Sequence, residues 1–228
     1  MESIAPIVPT AKVRGPFGSH TSGMEARRPY DIDSVTDVAF HIFAERGYDA
    51  TSMEDVARAA GITKASIYHH VPSKEALLAR GLDRALAALF GVLDEPDVRA
   101  GRARERLAAI VRRVAEITMS MRAEVSVLFR VRGNSTTERE AMERRRTFDA
   151  RITELVSEAQ TAGEIRADIE AALVVRLIFG MSNSVVEWYR PDGRMSAHMI
   201  AQAVERIAFS GVEADWAEGP NAKDSAEG

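Results

Sequence analysis

The sequence predicts an all-α protein of nine helices. Three observations carry this. From Ile32 onward, apolar residues recur at the three- and four-residue spacing of one helix face. Hydroxyl-bearing residues, Gly and Pro stand where such runs would start or stop. No segment shows sustained apolar–polar alternation between hairpin turns, the pattern of a half-buried strand.

Residues 1–30 are rich in Pro, Gly and Ser without a period and read as a disordered arm, mildly basic through Lys12, Arg14, Arg27 and Arg28. Val35, Ala39, Ile42 and Phe43 then line one helix face, and Gly47 is placed as its C-terminal cap. Thr51-Ser-Met-Glu54 reads as a capping box, with a hydroxyl at the N-cap and a carboxylate three residues on. The second helix turns Met53, Val56, Ala57 and Ala60 inward and stops at Gly61. Thr63 is the expected N-cap of the third helix, which Pro72-Ser73 ends. A long fourth helix starts near Ser73, with Leu77, Leu78, Leu82, Leu86, Leu89 and Phe90 as its apolar positions. Five more helices are expected, roughly 98–120, 123–132, 137–163, 168–189 and 195–212, with breaks at Gly133-Asn134, Gly163 and Pro191-Asp192-Gly193. An arm at 1–30 and a flexible tail at 214–228 are expected to flank these helices.

The chain has 228 residues, 46% hydrophobic and 28% charged, enough to bury a core without staples. The lack of cysteine excludes disulfides, thiolate metal sites and thiol nucleophiles. Apolar stretches such as Ala171–Val175 are interrupted by charge, here Arg176, and fall short of the roughly 18 residues of a membrane span. A soluble cytoplasmic protein without a membrane role is expected. The net charge of −4 rules out a generally basic nucleic-acid glue but leaves room for a local footprint.

Such a footprint lies at 51–71. Ala57 is small where two helices would cross, Gly61 four residues later suits a sharp turn, and Ile62 and Ile67 plug the small core between them. These offsets describe a helix-turn-helix. The outer face of its second helix carries Thr63, Lys64, Ser66, Tyr68, His69 and His70, all hydrogen-bonding groups. Acids are absent from Thr63 to Ser73, as a surface facing phosphates requires. An ordinary helical hairpin would mix Glu and Lys there. Adjacent His69 and His70 diverge by about 100° around a helix and do not readily chelate one ion, so neither metal nor cofactor is expected.

Phe43-Ala-Glu-Arg-Gly47-Tyr-Asp-Ala-Thr51, Ile62-Thr-Lys-Ala-Ser-Ile-Tyr68-His-His and Ser73-Lys-Glu-Ala-Leu77 resemble the TetR family of bacterial regulators. The resemblance covers about 31–90; beyond it, only length and helical layout match. It departs at Val71-Pro72, where the family more often has Phe and a polar residue. It implies a three-helix helix-turn-helix DNA-binding domain at 31–77 on a larger helical ligand-binding and dimerisation domain at 78–213, in a homodimeric repressor released from its operator by a small molecule. By match to the family pattern, Thr63–His69 would enter the major groove. Thr51, Tyr68, His69 and Lys74 would hold phosphates, while Lys64, Ala65 and Ser66 would approach base edges.

In the expected bundle, the segment 168–189 is apolar nearly all round: Leu173, Leu177, Gly180, Met181, Ser184, Val185 and Trp188 on one side, with Val174, Ile178 and Phe179 covering much of the rest. Ile200, Ala203, Val204, Ile207, Ala208 and Gly211 stripe the last helix. The two helices read either as a two-fold pairing face or as interior core. Candidate pocket residues are Phe129, Arg130, Phe148, Met181, Asn183 and Trp188, which read equally as plain core. Arg130, Arg132, Arg139, Arg144, Arg145, Arg146 and Arg151 form either a solvated face or the guanidinium forks for an anion with an apolar end. Asn183–Gly193 resembles TetR relatives controlling fatty, aromatic or steroid acid breakdown, which implies an acyl-CoA effector. The competing readings are a helical enzyme and an adaptor without DNA binding. For the enzyme, neither a nucleophile elbow nor a phosphate-cradling Gly loop is found. An adaptor would not need an intact polar recognition face.

Overall fold

Helix α1 (Ile32–Arg46) begins where the Asp31 carboxylate accepts the Ser34 N–H at 2.8 Å. It ends at Gly47, whose φ of 92° favours glycine. The computed structural model describes residues 31–212. The arm at 1–30 and the tail at 214–228 lie outside the described residues, as do the side chains of His70, Ser210, Gly211 and Val212. Every described regular element is a helix: α2 (Met53–Ala60), α3 (Lys64–His70), α4 (Lys74–Val92), α5 (Pro96–Arg99), α6 (Ala103–Ser120), α7 (Arg122–Arg130), α8 (Thr136–Thr161), α9 (Ala171–Trp188) and α10 (Ala197–Val212).

The expected starts hold for α3 and α4, where Thr63 and Ser73 cap the N–H groups of Ser66 and Ala76. The capping box of α2 sits one residue later than expected. Ser52 and Asp55 exchange the two capping bonds, and the hydroxyl holds the Asp55 carboxyl below its ordinary range. The register shifts because Thr51 is drawn inside. It is 2% exposed and donates its hydroxyl to the Gly47 carbonyl at 2.8 Å. The helix expected over 98–120 is broken by Gly101, at φ 103°, into α5 and α6.

Helices α1, α2 and α3 form the head around Phe40, Phe43, Val56 and Ile67, all at most 1% exposed. Complete burial of such a side chain contributes about 1.5–3 kcal/mol. The expected boundary at residue 77 falls inside α4, which runs unbroken from the head into the bundle. Its inner face, Leu77, Leu78, Leu82, Leu86 and Leu89, packs against α1, α6, α7 and α8. At Gly81 the packing is closest: a Cβ there would stand 2.0 Å from Cε2 of Phe40. Helices α6, α8 and α9 pack mutually, and α10 lies mainly on α6. At 18 residues, α9 does have the length and hydropathy of a membrane span, contrary to the short-run expectation. Its buried side packs on the bundle, and Arg176 stands about a third of the way along it.

Candidate functional site

The head presents α3 outward. Ile67 is fully buried against the core, so Lys64, Ala65, Tyr68 and His69, on the remaining arc, are exposed. Gly61 takes the left-handed conformation at φ 66°, turning the chain sharply between α2 and α3. This is the crossing of a helix-turn-helix, with four exposed positions and no acid on its second helix.

Two of the residues expected to hold phosphates have internal partners. Thr51 cannot offer its hydroxyl outward, being buried and bonded to Gly47. Lys74 donates to the carbonyls of Tyr48 at 2.9 Å and Thr51 at 2.8 Å, with Nζ 4.2 Å from the Tyr48 ring centroid. It latches the α1–α2 loop to the start of α4, so two of its three protons are committed internally. Ser66 is half-buried, and its hydroxyl lies 2.8 Å from that of Thr63, inside the cap of α3.

In the bundle, α4, α6, α7, α8 and α9 line a partly open cavity of about 460 Å³. Its apolar wall includes Leu89, Val114, Val125, Phe129, Phe148, Val175 and Phe179. Phe148 stacks on Phe179 at 5.8 Å and meets Phe90 edge-on at 5.6 Å. Three of the expected pocket residues, Phe129, Phe148 and Asn183, line this cavity. Arg130, Met181 and Trp188 do not. Arg130 reaches back to donate to the Ala44 carbonyl at the end of α1. Met181 packs beside the core, and Trp188 is exposed at the end of α9. The residues not foreseen as a set are Arg145, Asp149 and Arg176. Arg145 donates to the Leu128 carbonyl at 3.1 Å and lies over the Phe129 ring. Burial pushes the Asp149 carboxyl above its ordinary range, against the pull of Arg145 and Arg176. The available signal was a carboxylate four residues after Arg145 and next to the core residue Phe148.

Polar ties join head and bundle. Arg84 of α4 donates to Asp37 of α1 at 2.7 Å and lies 3.5 Å from Glu124 of α7. Arg80 bonds Asp33 at 2.8 Å. The buried Glu138 carboxylate accepts the N–H groups of Arg132, Gly133 and Asn134, fixing the α7–α8 loop. Among the described residues, no group of three His, Cys, Asp or Glu is arranged to hold a metal ion.

The exposed large apolar side chains divide among three surfaces. Tyr68 is on α3, and Phe129 is on the cavity wall. The other six, Leu173, Leu177, Trp188, Met195, Met199 and Ile207, lie on α9, α10 and their connection, with Leu177 59% and Ile207 63% exposed. Val185, expected on the α9 stripe, is instead 1% exposed in the core. So many large apolar side chains exposed on two neighbouring helices are unusual for a folded monomer.

An exposed, acid-free recognition helix on a helical domain with an apolar cavity defines a one-component transcriptional regulator. The chain belongs to the TetR family. Residues 35–80 match the family described as bacterial regulatory proteins, tetR family, and 100–212 match the tetracyclin repressor-like C-terminal domain. The HTH-type transcriptional repressor KstR2 of Rhodococcus jostii is 30% identical over 86% of this chain and 96% of its own length. A crystallised TetR-family regulator from Streptomyces coelicolor is 50% identical over 82% of this chain and 92% of its own, with a TM-score of 0.74. AibR, solved in complex with isovaleryl coenzyme A and operator DNA, is 26% identical over 78% of this chain and 97% of its own, with a TM-score of 0.65. The protein is a DNA-binding regulator and not an enzyme.

Proposed function

We propose that the chain is a homodimeric repressor that leaves its operator when an acyl-CoA thioester enters the bundle cavity. The observation that carries this is the division of exposed large apolar side chains among the recognition helix, the cavity wall and the helices α9 and α10. Each surface answers to one partner: DNA, effector and a second copy. Lys64 and Ala65 face the base edges, and Tyr68 and His69 the phosphates. The domain boundary is placed within α4, which acts as the rigid arm between the two parts. Pairing through α9 and α10 sets two recognition helices about 34–36 Å apart on a pseudo-palindrome. The regulator is cytoplasmic and, without effector, resides on the nucleoid. The relatives named above include repressors, and AibR takes an acyl-CoA.

Release follows from the contacts of α7. Val125 and Phe129 face the cavity, while Arg130, one residue on, grips the last turn of α1. An occupant that displaces Phe129 therefore moves the anchor of the head. An effector acts only through its preference for one of the two arrangements. The test is selection of the bound sequence from a random DNA pool, then titration of that complex with a panel of CoA thioesters. Dissociation by one thioester is expected. Calorimetry showing no thioester binding would remove the acyl-CoA assignment.

A further inference from the structure

The cavity wall carries two guanidiniums, Arg145 and Arg176, which alone would make a trap for a carboxylate. Asp149 lies on the same wall, four residues from Arg145 on α8, and both arginines act on its charge. Among the described residues its carboxylate makes no hydrogen bond or ion pair, so neither arginine is closed onto it. Arg145 is instead held by the Leu128 carbonyl and the Phe129 ring. The half-buried anion therefore sits in the cavity wall with diffuse compensation.

We infer that Asp149 makes the cavity select an uncharged acyl head group and reject the corresponding free acid. A free carboxylate that approached Arg145 and Arg176 would also approach Asp149. Two carboxylates in one weakly solvated site do not both stay ionised without loss of affinity. A thioester or ester brings a neutral carbonyl, which accepts from a guanidinium or from Asn183 without repelling the anion. For a regulator of acid breakdown, such a filter reports the activated acyl group and ignores the unactivated acid. The inference rests on the acyl-effector reading above.

The test compares wild type, Asp149→Asn and Asp149→Glu by calorimetry. Each receives the free acid, the methyl ester and the CoA thioester of isovaleryl and decanoyl chains. Thermal unfolding confirms that the variants fold. Asp149→Asn is expected to raise the affinity for the acid relative to the ester by at least about tenfold, the equivalent of one pKa unit of lost repulsion. Asp149→Glu, which keeps the charge, should keep the wild-type preference. Acid affinity in Asp149→Asn that fails to rise, in absolute value or against the ester, overturns the inference, as does Asp149→Glu behaving like Asp149→Asn. If esters outbind acids and Asp149→Asn reverses this while no CoA thioester binds, the acyl-CoA reading fails and the role of Asp149 stands.

Discussion

Replacing Gly81 with Ala places a methyl group against the ring of Phe40, 2.0 Å from Cε2 and 2.2 Å from Cζ. Carbon atoms rest at about 3.5–4.0 Å, so the ring must retreat by about 1.5 Å. It has nowhere to go. Phe40 is completely buried and meets Phe43 edge-on at 5.6 Å. Overpacking of this kind costs about 1–3 kcal/mol, and the Gly-to-Ala helix gain returns up to about 1 kcal/mol. Subtracting the full gain leaves a net loss of about 0–2 kcal/mol, nearer the upper end because the ring cannot retreat. Gly91, on the same helix, has nothing within 4 Å of an added Cβ, so Gly91→Ala isolates the helix gain and should be neutral or stabilising. Phe40→Leu should recover part of the loss only in combination with Gly81→Ala. The assay is urea unfolding followed by circular dichroism at fixed protein concentration, since dimerisation makes apparent stability concentration-dependent. If Gly81→Ala proves as stable as Gly91→Ala, the close approach of α1 to α4 is wrong.

Lys74→Met should lower stability by about 1.5–3 kcal/mol, read by the same unfolding assay, because the Tyr48 and Thr51 carbonyls lose a charged donor. Paired substitution of Leu177 and Ile207 by Arg should yield a folded monomer in analytical ultracentrifugation, with operator affinity largely lost. Glu138→Ala should speed amide exchange at Arg132, Gly133 and Asn134 and lower the melting temperature. For pH, burial raises the Asp149 carboxyl above its unfolded value, so the protonated form is favoured in the fold. That contribution is full below the ordinary aspartate range and is lost as pH rises through the raised value. The stability of wild type relative to Asp149→Asn should therefore fall as pH rises from the carboxylate range toward neutrality.

The helical layout, the turn at Gly61 and the cap at Thr63 were readable because each depends on neighbours within a few residues. The helix α9 and its apolar positions were legible from periodicity, but which of them face outward was not, as Val185 in the core shows. What was not legible depends on distant parts of the chain. Thr51-x-x-Glu54 and Ser52-x-x-Asp55 are equivalent capping patterns one residue apart, and only the burial of Thr51 against Gly47 selects the second. Lys74 looks like any surface cation until the loop at Tyr48 and Thr51 folds over it. Arg130 and Trp188 have the chemistry of pocket residues, yet one is spent on α1 and the other stays outside. Asp149 was hidden in a charge-rich helix, and only the fold puts it on one cavity wall with Arg176 of α9.

The reading head itself is best examined by fluorescence anisotropy on the operator selected from the random pool, set against a scrambled duplex. Lys64→Ala should keep the fold and the dimer but lose about 1–3 kcal/mol of the preference for the operator. If Lys64→Ala and Tyr68→Ala both bound the operator as tightly and as selectively as wild type, α3 would not be the element that reads DNA.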